Sequence, residues 1–251
     1  MKAQAVLWLS EEKWSPEIIS VEHKKTGKCP NFIESLYQRI WQSKHRYKAA
    51  DKSFKKIYNL LNHSKRRRKP GSRKDSRSIV HDRVPIDKRP KVVKQRKRPG
   101  DIEVDFMMGK NHKGAILVIT DRATLHTKLH KLENRNSNTV SKTMIKSLLK
   151  SKHQIHTITF DNDKGFADHM TVAKALSADT YFTRPYTSQD KGTVENRIGQ
   201  LRRFFPKKTD LSIVTSDQVK RVERLLNNRL VRKFNYKTPN QVLLEKIALI
   251  T

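Results

Sequence analysis

Three carboxylates stand out in a chain that is otherwise overwhelmingly positive. They are Asp105 in Ile102-Glu103-Val104-Asp105-Phe106, Asp161 in Thr159-Phe160-Asp161-Asn162-Asp163, and Glu195 in Lys191-Gly192-Thr193-Val194-Glu195-Asn196. Each lies near the end of an apolar pattern, where a packed element can hold a side chain in place. Gathered carboxylates repel one another unless a divalent cation lies between them. Oxygen-only ligands suit Mg²⁺ or Mn²⁺. Such a group can work as a two-metal clamp, one ion activating water or a 3′-hydroxyl and the other stabilising the departing oxygen. Taken singly, each acid has an ordinary reading as a turn former or a helix-dipole partner. Glu103, Asp121 and Asp163 are neighbouring rivals for the same work.

The surroundings of these acids point to a polyanionic partner. Over 251 residues, Lys+Arg number 55 and Asp+Glu 24, a net charge of +31 and a sequence pI near 10.4. That balance belongs beside nucleic acid, and an acidic metal pocket in such a protein suits breaking or joining phosphodiester bonds. A ribosomal or RNA-packaging protein would share the charge but has no use for the acidic cluster. The single cysteine, Cys29, excludes intramolecular disulfides and cysteine-cluster zinc sites, which fits a reducing cytoplasm. The apolar run Ala5 to Leu9 is too short for a signal-peptide core, and no stretch reaches membrane-spanning length. The expectation is a cytoplasmic, DNA-associated protein without a membrane segment. His126 and His130 lie in a strand-like stretch and no His-Glu-x-x-His word exists, so no zinc site is expected.

The elements that must position the acids follow from periodicity. Ile102, Val104, Phe106 and Met108 alternate with Glu103, Asp105 and Met107, a half-buried strand that puts Asp105 on the face opposite Val104 and Phe106. A polar turn over 109–114 leads into the buried strand Ala115 to Thr120, and residues 124–132 read as a third strand. Val140, Met144, Ile145, Leu148 and Leu149 mark a helix, and Ile155 to Phe160 is a strand ending on Asp161. A helix over roughly 166–177 and a short strand from Thr180 to Thr183 complete a mixed α/β sheet with helices packed on it. Helices follow around 193–204 and 215–231. On the first, Val194, Ile198, Leu201 and Phe205 form an apolar stripe with Glu195 and Arg202 on one flank. Arg202 is therefore expected to reach for a phosphate.

Upstream, residues 1–62 read as helical. Ser15 is a plausible N-cap before Pro16 and Glu17, a Gly-containing turn follows, and Phe32, Ile33, Leu36, Tyr37 and Ile40 recur at helical spacing. Helix, Gly turn, helix is the outline of a helix-turn-helix DNA reader, and equally of an ordinary helical hairpin. Gln38 and Arg39 are the expected groove contacts, whereas Tyr37 and Trp41 are expected in the core. Residues 63–99 read as a basic linker: over 64–99, sixteen Lys or Arg stand against three Asp, with four prolines. Arg66, Arg67, Arg68, Lys97 and Arg98 are expected to track phosphates, or the segment is merely a solvated spacer. Lys191 joins them as a candidate DNA contact.

Several of these words together resemble a known family. Asp, Asp and Glu, with 33 residues between Asp161 and Glu195, resembles the DDE transposases. The flanking words are similar to the insertion-sequence family numbered thirty: Thr159-Phe160-Asp161-Asn162, Tyr181-Phe182 with Pro185-Tyr186, Lys191-Gly192-Thr193-Val194-Glu195-Asn196, Leu201-Arg202-Arg203-Phe204-Phe205-Pro206-Lys207, Leu226-Asn227-Asn228-Arg229 and Lys237-Thr238-Pro239. Trp14-Ser15-Pro16-Glu17-Ile18-Ile19, Leu36-Tyr37 and Arg89-Pro90 match upstream, so the similarity runs over nearly the whole chain.

The resemblance implies a ribonuclease-H-like mixed sheet core over 100–251, binding Mg²⁺ (or Mn²⁺) through Asp105, Asp161 and Glu195. A small all-α helix-turn-helix segment and the basic linker precede it. It implies cleavage at the terminal inverted repeats of the element, transfer of the 3′ ends into target DNA, and a homo-oligomer on DNA. The family's basic residue after the glutamate maps to Arg202. Three positions depart from the family's pattern: Ile102 for a common Trp, Gly165 near a common Glu, and Leu230 for a common Pro. The family also tends to carry a further DNA-reading helical unit at the amino end, so Met1 reads either as an internal start or as the start of a shortened copy. The alternatives are a copy that binds element ends without cutting and another integrase-core nuclease.

Overall fold

The computed structural model describes residues 2–25, 32–45, 80–149, 151, 155–184 and 188–249. The chain divides into two compact units, Met1–Lys74 with Arg229–Tyr236, and Asp75–Asn228 with Lys237–Thr251. In the first, α1 (Lys2–Ser10), α2 (Pro16–Lys25) and α3 (Phe32–His45) bury Ala5, Leu9, Ile19, Leu36 and Ile40, with Trp8 and Trp14 packed against them. The two indoles stack at 5.2 Å. Ser15 Oγ accepts from Ile18 N at 3.5 Å, so the N-cap read from the sequence is in place. Residues 26–31, which hold most of the expected Gly turn, lie outside the described residues. Tyr37 and Trp41 correct the sequence reading: both are exposed, Trp41 by 54%. Among the described side chains of α3, Leu36 and Ile40, four apart, form the buried stripe, and Tyr37 and Trp41, each one residue on, fall outside it.

The second unit is built on a five-stranded sheet of order β3-β2-β1-β4-β5: β1 (Asp101–Met108), β2 (Ala115–Asp121), β3 (Thr127–Leu132), β4 (Thr157–Phe160) and β5 (Asp179–Phe182). β1 pairs antiparallel with β2 and parallel with β4, and β4 pairs parallel with β5. Three antiparallel strands extended by two parallel ones, with helices on both faces, is the ribonuclease-H-like core expected from the sequence.

Period-two alternation divides β1 between two cores. Ile102 and Val104 join Leu117, Ile119, Ile158, Phe160 and Phe182 on one face, covered by α5 (Ser137–Leu148) and α6 (His169–Leu176). On the other face Met107 joins Ile116, Val118 and Leu129 beneath α7 (Gly192–Leu201) and α8 (Ser216–Asn227). That second face also carries a buried polar row in register, Thr127, Thr120, Glu103, Thr159 and Tyr181. Gly165 has a steric reason. A Cβ there would come within 2.9 Å of the Phe106 ring, which stacks on Phe166 at 4.4 Å. Ile102, a second departure, lies on β1 and is buried in the first core.

Residues 80–99 differ from the extended linker read from their composition. Val80, Ile86 and Val93 are buried, and α4 (Lys91–Gln95) follows a short 3-10 turn at Ile86–Lys88. Phe182 N donates to Val84 O at 2.9 Å and Pro85 bridges to Phe182, so this segment lines the outer edge of β5. On the opposite edge, Thr127 N donates to Asn227 Oδ1 at 2.9 Å, Asn227 Nδ2 returns a bond to Thr127 O at 2.7 Å, and Leu129 N donates to Glu223. The last helix, α9 (Pro239–Ala248), opens with a capping box between Thr238 and Gln241 and Pro at its start. None of the described helices is long and apolar enough to cross a membrane.

Candidate active site

Parallel pairing brings the two aspartates together. Glu103 lies opposite Thr159 in the β1–β4 register. Continuing both strands by two residues sets Asp105 beside Asp161, on the same face and at the carboxyl end of the parallel pair, where open α/β sheets place their sites. Asp105 Oδ1 accepts from Phe106 N at 2.8 Å. Asp161 Oδ1 accepts from Asn162 N at 2.9 Å and from Thr183 Oγ1 at 3.3 Å. Asn162 is itself held by Arg83 and by Thr183 O.

Between the two carboxylates stands a positive charge. Lys191 Nζ donates to Asp105 Oδ2 at 2.8 Å and lies 3.5 Å from Asp161 Oδ2. Lys191 is only 3% exposed. This corrects its reading as a DNA contact: at the N-cap of α7 its side chain turns inward, toward two partly buried carboxylates. Even so, burial pushes the Asp105 carboxyl above its ordinary value, with Lys191 pulling it down and Asp161 pushing it up.

Glu195 sits in the first turn of α7, solvent-facing, next to this group. Its carboxyl is also raised, first by partial desolvation, then by the charges of Asp105, Asp161 and Glu103, against the pull of Lys191. The three carboxylates thus share one electrostatic neighbourhood. They are not drawn in as one ligand set, however: among the described residues no three His, Cys, Asp or Glu stand close enough to hold a metal ion. The Lys191 ammonium stands between the two aspartates, 2.8 Å from Asp105 Oδ2 and 3.5 Å from Asp161 Oδ2. A divalent cation fits the chemistry of these residues, because two carboxylates already face a common positive charge and all donors are hard oxygens.

The rival acids are otherwise engaged. Asp121 accepts from Gly100 N, Ala123 N, Thr124 N and Thr124 Oγ1 and so builds the turn after β2. Asp163 accepts from Gly165 N and pairs with Arg135, both at 2.8 Å. Glu103 is fully buried against Arg122 and the start of α7.

The remaining expected DNA contacts are dispersed. Arg202 is half-buried at the C-cap of α7, where Nη2 donates to Met108 O at 2.7 Å, and burial pulls its guanidinium down. It is turned to the backbone rather than presented to a phosphate, since the helix ends beside the last residue of β1. Arg98 forms a two-point pair with Asp101 at 2.9 and 3.0 Å, whereas Lys97 is exposed. Gln38 is exposed on α3. The side chain of Arg39, and Arg66, Arg67 and Arg68 altogether, lie outside the described residues. Sequence reasoning missed Thr183, which braces Asp161, and Arg89, a buried guanidinium donating to Thr159 Oγ1 at 3.0 Å beneath the site. The Arg89-Pro90 word was the only signal for the latter.

Comparison with known proteins bears on the chain as a whole. No protein-family model matches. The transposase for insertion sequence element IS4351 of Bacteroides fragilis is 39% identical over 237 residues, covering 94% of this chain and 71% of that one. The transposase InsI for insertion sequence element IS30A of Escherichia coli (strain K12) is 28% identical over 250 residues, 97% of this chain and 64% of that one. Among solved structures, the catalytic core domain of BIV integrase superposes with a TM-score of 0.46 at 16% identity, over 60% of this chain and 97% of that one. By its 39% identity over most of both chains, the protein belongs to the IS30-type family of insertion-sequence transposases.

Proposed function

We propose that this chain cuts the terminal inverted repeats of its own element and joins the freed 3′ ends to target DNA, using Mg²⁺ or Mn²⁺ held by Asp105, Asp161 and Glu195. The observation that carries this reading is the pairing of Asp105 and Asp161 around one buried cationic group, with Glu195 alongside. When bound, divalent ions in such a group neutralise the scissile phosphate and acidify the attacking hydroxyl in a two-metal arrangement. The chain's own residues do the positioning. The sheet fixes the two aspartates, Thr183 and Asn162 N orient Asp161, and α7 presents Glu195 toward solvent, where a DNA strand can approach.

DNA recognition is assigned to residues 1–62, with Gln38 and Arg39 toward the groove. Arg66, Arg67, Arg68 and Lys97 supply sequence-blind phosphate contacts. A homo-oligomer would hold two element ends together. The test is incubation of the purified chain with labelled terminal-repeat DNA, with and without Mg²⁺. Nicked 3′ ends and joined products in Mg²⁺, lost in Asp161→Ala, are the expected result. Undiminished cleavage by Asp161→Ala overturns the assignment, as does tight repeat binding with no Mg²⁺-dependent cutting by the parent chain.

A further inference from the structure

We propose that Glu103 is a positioning residue that locks the helix bearing Glu195 onto the strand bearing Asp105. This rests on the reading of Asp105 and Glu195 as partners in one site. Glu103 is the third residue of β1, two residues before Asp105 and on the same face, with no exposure to solvent. Its Oε2 accepts from Val194 N at 2.8 Å, the amide next to Glu195, and its Oε1 accepts from Arg122 Nη1.

The first amides of a helix have no partner within the helix and need one from outside. α7 has none from its own cap: Lys191, at the N-cap position, makes no side-chain capping bond. The Glu103 carboxylate supplies that partner from the sheet, and its negative charge suits the positive end of the helix dipole. Arg122, itself buried, neutralises the carboxylate, and Thr120 and Thr159 flank it in register. Both oxygens face inward bonds, so Glu103 is not a fourth ligand. One side chain thus spans the two elements whose spacing determines whether Asp105 and Glu195 can serve a common ion. An outer group that orients liganding residues in this way typically changes metal affinity or activity about 10–100-fold when removed.

The test compares two double variants of the full chain that both remove the buried charge pair. Glu103→Gln with Arg122→Met keeps an amide oxygen for Val194 N, and Glu103→Leu with Arg122→Met does not. Amide hydrogen exchange at Val194 and Glu195, measured without metal, should stay protected in the Gln variant and quicken about tenfold or more in the Leu variant. Calorimetric Mn²⁺ affinity should fall about tenfold in the Leu variant relative to the Gln variant. Cleavage kcat should fall in parallel, with KM for terminal-repeat DNA held constant. Equal exchange rates in the two variants overturn the proposal, as does equal Mn²⁺ affinity. If the parent chain binds no Mn²⁺, the metal-dependent function fails, while the exchange comparison still decides the role of Glu103.

Discussion

Replacing Lys191 by Met removes the cation that stands between Asp105 and Asp161 while keeping most of the side-chain volume. At 2.8 and 3.5 Å, with an effective dielectric of about 20, the two attractions are worth roughly 6 and 5 kcal/mol before desolvation. Burying the ammonium cancels much of that. Breaking a buried pair by removing one partner leaves a net loss of about 3–5 kcal/mol. Urea denaturation of Lys191→Met in chelator at pH 7.5 should therefore show a deficit near 3 kcal/mol against the parent chain. Saturating Mg²⁺ should restore stability, since ligand at a hundred times its Kd contributes about 2.7 kcal/mol.

The pH dependence has a definite sign. Burial already raises the Asp105 carboxyl, and losing Lys191 raises it further. The deficit is thus present in full above that raised folded pKa and fades as pH falls toward the ordinary carboxylate range. A deficit below about 1 kcal/mol in chelator, or one unchanged by saturating Mg²⁺, would refute the reasoning, because a surface-like pair is worth that little.

Three further outcomes follow from particular contacts. Asn227→Ala removes both bonds to the Thr127 backbone and leaves a buried N–H and C=O unmet, a loss of about 2–4 kcal/mol readable by urea denaturation. Gly165→Ala presses a Cβ against Phe106 and should cost about 1–3 kcal/mol by overpacking, seen as a lowered Tm. His126 and His130 are each pulled down to about 4, mainly by burial and then by Lys128 and Lys220 respectively. Neutral in the fold, they support it fully above the ordinary histidine value and lose that support as pH falls toward 4. Each should give up on the order of 2 kcal/mol or less between pH 7 and pH 5. A chain with both changed to Gln should show a correspondingly flatter decline in denaturant titrations.

The local parts of this fold were legible because periodicity is a local signal. Alternation along β1 alone separates Asp105 from Val104 and Phe106, and the stripe Val194, Leu201 and Phe205 does lie in the second core. The β1–β4 register was not legible, since it pairs residues more than fifty apart and no window of sequence contains both. Residues 80–99 were misread because a few buried apolar side chains, Val80, Ile86 and Val93, are diluted by charge in any composition window. The start of α9 was readable in Thr238-Pro239-Asn240-Gln241 as a capping box, yet entered the sequence reading only as part of a shared word. Lys191 was the hardest case. In a chain of 55 basic residues, nothing local distinguishes a lysine facing DNA from one facing two aspartates of its own chain.

The two borders of the sheet carry a consequence for crowding. An unpaired strand border invites extra strands from other molecules, the usual beginning of self-association through β-structure. Here the first half of β3 already gives its outward Thr127 and Leu129 groups to Asn227 and Glu223. β5 is met by Val84 and Pro85, and a proline has no N–H with which to pass the ladder on. Copies concentrated on the same stretch of DNA can therefore lie side by side without zipping their sheets together.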